Sequence, residues 1–230
     1  MSSTFQHSSE LWRDYPALVA GVVRVDGITA DVSVSVDSFY ARASERLASS
    51  SESELPEIRA WRRTFSSMGL KPTQYRCASE ALLRRFKKES ALPSIHPLID
   101  VCNAISLAYA IPVAVFDLAH VVGSLEVRRA VGSELYLTFG GTVESPETGE
   151  VIFADADGQA HARRWTNRQS ARSAIQPSSS RVLIVAEALH SSADKDVAEL
   201  VASVVSALGA AWSVAPRSAV LSAAAPSFDL

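Results

Sequence analysis

Residues 97–107 read Pro97-Leu98-Ile99-Asp100-Val101-Cys102-Asn103-Ala104-Ile105-Ser106-Leu107, and residues 111–117 read Ile111-Pro112-Val113-Ala114-Val115-Phe116-Asp117. Pro93 and Pro97 break the chain, and the apolar spacing after them predicts an amphipathic helix over Leu98–Tyr109 that presents Asn103. A tight turn follows, then a short β-branched strand ending in a carboxylate. This helix–turn–strand joins two halves of different character.

Before it the chain reads mostly helical. Leu18–Val25 predicts a buried strand, residues 37–48 a helix with Phe39, Ala43 and Leu47 on one face, and Pro56 opens a helix that Gly69 stops. A further helix runs from about Arg76 to Lys88. After Pro112 short β-rich segments alternate with glycines: Val113–Phe116, Leu125–Arg128, Glu134–Phe139, Glu150–Asp155, Ala160–Trp165 and Arg181–Glu187. Ala193–Leu208 carries one apolar stripe and reads as a helix. The order predicts an α+β fold, helices packed on a central mixed or antiparallel sheet. The expected organisation is a flexible N-terminus (1–14), one domain (15–212) and a loosely ordered C-terminal tail (213–230).

The chain has 230 residues, 47% of them hydrophobic, enough for one domain with a sizeable core. Its formal net charge of −3 argues against a chain built mainly to coat nucleic acid, while leaving room for a local basic patch. Cys77 and Cys102 sit in apolar helical patterns and read as reduced core residues. There is no Cys-x-x-Cys, and His96, His120 and His161 are scattered, so no metal or other cofactor is expected. No apolar run suits a signal peptide or a membrane span, which makes cytoplasmic the expected location.

Pro97–Leu107 and Ile111–Asp117 resemble the B3/B4 domain of the bacterial phenylalanyl-tRNA synthetase β subunit. Tyr75–Arg85 is similar to the helix that begins stand-alone members of that family. Gly140–Asp155 is similar to their strand-turn-strand segment, and Arg163–Gln169 to the segment that closes their pocket. Order and spacing match over roughly residues 15–210. The resemblance implies a free-standing domain of the kind that hydrolyses wrongly charged tRNA, with the aminoacylated acceptor end of tRNA as partner. Asn103, Pro112 and Asp117 match. The synthetase pocket has a histidine where Ala114 stands, a glutamate where Gln169 stands, and commonly threonine where Cys102 stands.

Hydrolysis of an activated ester needs positioning and hydrogen bonds to a developing oxyanion more than it needs a triad. The expected catalytic groups are the Asn103 amide and the backbone N–H groups of Gly140 and Gly141. Trp165 is expected to stack on the terminal adenine or wall the pocket, beside Gln169. Asp117, Glu144 and Glu150 are candidates for the substrate ammonium. Arg84, Arg85, Arg163, Arg164 and Arg168 are candidates for tRNA phosphates. Each has a structural alternative. Asn103 can bond a neighbouring loop, Asp117 can cap the segment after it, Gly140-Gly141 can be a hairpin turn, Trp165 can be core, and Arg84 and Arg85 can serve a helix C-terminus. Asn103, Asp117, Gly140 and Trp165 are expected to border one cavity. Two functions compete: a trans-acting aminoacyl-tRNA deacylase, and a binding protein that keeps the fold and holds RNA or an amino-acid-like ligand without hydrolysis. Ala114 and Gln169 favour the second.

Overall fold

The computed structural model describes residues 3–230. In chain order the elements are β1 (Thr4–His7), α1 (Ser9–Asp14), β2 (Val19–Asp26), α2 (Asp37–Ser49), α3 (Pro56–Ser67), α4 (Ala78–Glu89) and α5 (Pro97–Tyr109). Then come β3 (Val113–Asp117), β4 (Leu125–Arg129), β5 (Tyr136–Leu137), β6 (Val143–Glu144), β7 (Val151–Ala154), β8 (Ala160–Arg163) and β9 (Arg168–Gln169). The chain finishes with β10 (Arg181–Ala188), α6 (Ala193–Trp212), β11 (Arg217–Leu221) and β12 (Ser227–Asp229). Pro56 and Pro97 each sit in the first turn of their helix, where the missing N–H costs nothing.

The strands form a four-stranded sheet (β11-β2-β10-β3), a six-stranded sheet (β12-β1-β4-β7-β8-β9) and the separate β5–β6 hairpin. The β1–β4 pair is parallel and the other ladders are antiparallel. The fold is thus α+β, as the sequence predicts, with the strands divided between two sheets rather than one. Strand β10 explains the layering. Its Val182, Ile184 and Ala186 join a core with Val101, Ile105, Val197 and Val201 of α5 and α6. Its Leu183 and Val185 join a second core with Phe5, Val127 and Phe153 of the six-stranded sheet. A strand covered on both faces reads as a continuous apolar run. A third, small core (Ala130, Tyr136, Ile152, Ala154, Ala160) includes Tyr136 of the hairpin.

Helix α6 lies close on β2 because Gly21 has no side chain: a Cβ there would come within 2.5 Å of Val201 Cγ2 and 2.8 Å of Val197 Cγ1.

The expectation of loose termini is corrected by strand pairing. Apart from Met1 and Ser2, which lie outside the described residues, the N-terminal segment forms β1 and α1, and β1 sits inside the six-stranded sheet. The C-terminal segment supplies β11 to the edge of β2 and β12 to the edge of β1. The physical reason is edge pairing: otherwise both strands would present unpaired backbone groups. Among the described residues, no helix is long and apolar enough to cross a membrane.

Candidate functional site

Strand β3 ends the four-stranded sheet, β9 ends the six-stranded one, and a pocket opens between those two edges. Its walls are Pro112, Val113 and Ala114 from the start of β3, Phe153 and Ala162 from the facing sheet, Val185 and Glu187 of β10, Ala78 at the start of α4, and residues 165–169. The cavity holds about 60 Å³. Gln169 ties the two edges together, its Nε2 donating to the Val115 carbonyl at 2.5 Å.

The turn Arg164–Trp165 carries two consecutive positive φ values, +47° and +57°, in the left-handed region that non-glycine residues seldom occupy. The surroundings hold it there. Trp165 N donates to the Val151 carbonyl and Arg164 N to Glu150 Oε1. The Trp165 ring is fully buried, edge-on to Trp61 at 5.1 Å and to Tyr15 at 5.0 Å between centroids. Asn167 Nδ2 donates to the Arg76 carbonyl and Ala78 N to the Thr166 carbonyl, so α4 and the turn brace each other.

Glu187 is the residue the sequence reading passed over. It is 2% exposed, yet it lines the pocket. Its Oε1 accepts from Trp165 Nε1 at 2.8 Å and lies 2.5 Å from His7 Nε2. Its own carbonyl accepts from Trp61 Nε1. Among the described residues its Oε2 takes no hydrogen bond. Thr166 Oγ1, on the same pocket, is buried without a partner. The sequence signal was a glutamate inside an otherwise apolar strand, Val182-Leu183-Ile184-Val185-Ala186-Glu187-Ala188. Nothing in the sequence marked His7.

An open hollow adjoins the pocket and shares Arg168 and Gln169 with it. Tyr136, Thr138, Phe139, Gly140, Thr142 and Glu144 line it, and Phe139 at the hairpin is 72% exposed.

The structure therefore brings together Trp165, Gln169 and Arg168, and beside them Gly140 and Glu144. Asn103 and Asp117 are not among the residues lining either space, so the expected single cavity is corrected. Asn103 is half-buried on α5 and its side chain makes no hydrogen bond among the described residues. Asp117 is a structural cap: Oδ1 accepts from Ala119 N at 2.9 Å and Oδ2 from Ser179 Oγ at 2.6 Å. Gly140-Gly141 is the β5–β6 turn, closed by Gly141 N to the Thr138 carbonyl, with Gly141 at φ +84°. Gly140 lines the hollow, and neither glycine lines the inter-sheet pocket.

The expected ammonium ligands Glu144 and Glu150 are already engaged. Arg163 donates Nε and Nη2 to the two oxygens of Glu150 at 2.9 and 2.8 Å, and Nη1 to Glu144 Oε2 at 2.8 Å. Arg163 is 4% exposed, which removes it from the tRNA-facing set. Burial pushes the Glu150 carboxyl up, but the Arg163 hydrogen bonds and charge outweigh it and leave it below its ordinary value. Arg84 pairs with Glu52 and Arg85 with Glu89 on the polar side of α4. Arg164 lies over the Tyr75 ring at 4.9 Å. Arg168 is partly exposed, with Glu144 Oε2 at 3.5 Å.

Cys77 and Cys102 are free and buried, their thiols pushed up by desolvation to about 11 and about 12, so neither supplies a thiolate. His161 is locked between Ser173 and Asp155. Glu57, His190 and Asp196 bring donor atoms within 4.8 Å of one another, but Arg46 already holds Glu57, and Asp196 bonds His190 and Ser192. Glu57 Oε2 and His190 Nδ1 are left buried without a partner.

The sequence model described as the B3/4 domain matches residues 60–199, from within α3 to within α6. The fold is similar to the crystal structure of an N-terminal fragment of the phenylalanyl-tRNA synthetase β-subunit from Pyrococcus horikoshii, with a TM-score of 0.51 at 10% identity. That alignment covers 94% of this chain and 51% of the fragment, so the chain spans about half the fragment's length. No curated protein matches by sequence.

Proposed function

The chain belongs to the B3/4 domain family, and from that premise we propose that it binds the aminoacylated end of tRNA and hydrolyses misacylated tRNA in trans. The observation that carries this reading is the inter-sheet pocket. Two segments far apart in sequence, Pro112–Ala114 and Trp165–Gln169, form its walls. They are the segments whose residues resemble pocket-forming parts of the family.

The hollow beside it fits the rest of the ligand. Phe139 offers an exposed ring on which a terminal adenine stacks, a contact worth about 1–3 kcal/mol per base. Arg168, between hollow and pocket, meets a phosphate of the acceptor end. The ester then lies at the pocket mouth, where Gln169 and the Asn167 side chain supply polar groups. The buried walls keep bulk water from all but the exposed side. Hydrolysis here is positional: an ordered water attacks, and amide or backbone N–H groups stabilise the oxyanion.

The second reading, binding without hydrolysis, is favoured by Ala114 and by Gln169, whose Nε2 is committed to the Val115 carbonyl. Incubation with a panel of misacylated tRNAs separates the two. Ester loss above the no-protein rate supports the deacylase. Retention of tRNA with an unchanged ester lifetime supports the binding protein.

A further inference from the structure

We propose that the inter-sheet pocket recognises a primary ammonium through Glu187 Oε2 and Thr166 Oγ1, and that it takes a short aliphatic aminoacyl group and excludes an aromatic one. The proposal rests on the aminoacyl-binding reading above and deepens it by naming the anchor and the substrate class.

The anchor follows from the hydrogen-bond inventory. Oε1 of Glu187 is satisfied by the Trp165 indole N–H and His7. Oε2 has no partner among the described residues, and Thr166 Oγ1 is buried with none. A buried oxygen without a partner, as Thr166 Oγ1 is, is costly unless a donor arrives, and Glu187 Oε2 on the same pocket is free to share that donor. A carboxylate and a hydroxyl together suit a donor that is cationic and carries several N–H bonds, which is an ammonium. Oε1 receives the indole N–H, so Glu187 acts there as an acceptor. His7 Nε2 faces the same oxygen, while His7 Nδ1 is buried without a partner. His7 is a positioning residue: it aims Glu187 and touches no ligand.

The size limit follows from the walls. Ala78, Ala114 and Ala162, with Val113 and Val185, enclose about 60 Å³. Pockets for drug-sized ligands run to roughly 300–1,000 Å³. The fully buried Trp165 and Phe153 close two sides, so there is no soft wall to yield to a ring.

The test uses non-hydrolysable adenosines carrying a 3′-amide-linked alanyl group, its desamino counterpart (propionyl) and a phenylalanyl group, titrated into the intact protein by calorimetry. The alanyl compound should bind about tenfold or more tighter than the desamino one, and tighter than the phenylalanyl one. Glu187→Gln should abolish the amine preference while the desamino compound binds as before. His7→Gln, which keeps an N–H donor, should retain more of that preference than His7→Ala. Equal binding of alanyl and desamino compounds to the unmodified protein would overturn the anchor and leave the aminoacyl pocket standing. Phenylalanyl binding as tight as alanyl would overturn the size limit. No binding of any of the three would overturn both the anchor and the aminoacyl reading.

Discussion

Asp117 and Arg163 show how one residue type serves fold or function according to what surrounds it. Both were candidates for ligand contact, and both spend their polar atoms inside the protein. Asp117→Ala strips a buried cap and leaves Ser179 Oγ and Ala119 N without their acceptor, so it should cost about 1–3 kcal/mol in chemical denaturation. It should leave tRNA affinity unchanged. Arg163→Ala leaves the Glu150 carboxylate buried without its bidentate partner and should cost about 3–5 kcal/mol. The same pair sets a pH dependence. The folded-state value of Glu150 is depressed, so its stabilisation is complete above the ordinary carboxylate value and lost as pH falls through the depressed one. Asp155, held down by His161 and backbone N–H groups against its burial, adds to the same slope. A Tm series from neutral pH downward should fall in that acid range for the parent chain. The Glu150 share should vanish in Arg163→Ala. For Asn103, half-buried and off both walls, replacement by alanine should change deacylation by less than about threefold. A loss of about 10²–10³, the cost of an oxyanion donor, would show that α5 reaches the ester.

At the scale of elements, the readable parts were those with long periodicity. Helices α3, α5 and α6 and strands β2, β3 and β10 were legible because their apolar spacing runs over many residues or because proline marks a start. Strands β1, β11 and β12 were not. They are three to five residues long, and β12 pairs only because β1 offers an edge. Ala219 and Phe228 are only partly buried, so no clean alternation announces them. Two stretches the sequence singled out, Pro112–Ala114 and Trp165–Gln169, line the pocket, Asn103 and Asp117 do not, and Glu187 was hidden because β10 reads as core. His7 acquires its role through pairing β1 with β4, a contact 120 residues distant (Gln6 with Glu126) that no local pattern records. Truncating the chain at residue 213 should expose the β2 and β1 edges. The expected result is a lower Tm and concentration-dependent association by size-exclusion chromatography. Gly21→Ala should cost about 1–3 kcal/mol, since Val197 and Val201 of α6 must move.

At the scale of the whole molecule, net charge and ligand class pull in opposite directions. A chain of charge −3 attracts a polyanion only through a local patch. With Arg163 buried and Arg84 and Arg85 paired, Arg168 and Arg164 remain of the candidate set, so about two phosphate contacts are expected. Affinity for tRNA should then fall roughly tenfold between 50 and 200 mM salt. Phe139→Ala should weaken binding by about tenfold at either salt, because stacking is not screened. The proposed deacylation requires an open inter-sheet pocket. Its most direct measurement is single-turnover ester loss from alanyl-tRNA with the parent chain and with Ala114→Leu, whose added methyls fill the pocket from the β3 wall without a ring. The parent chain should accelerate ester loss, and the filled variant should not, at unchanged Tm and tRNA affinity. Equal acceleration by both proteins, or none by the parent chain on any misacylated tRNA, would contradict it.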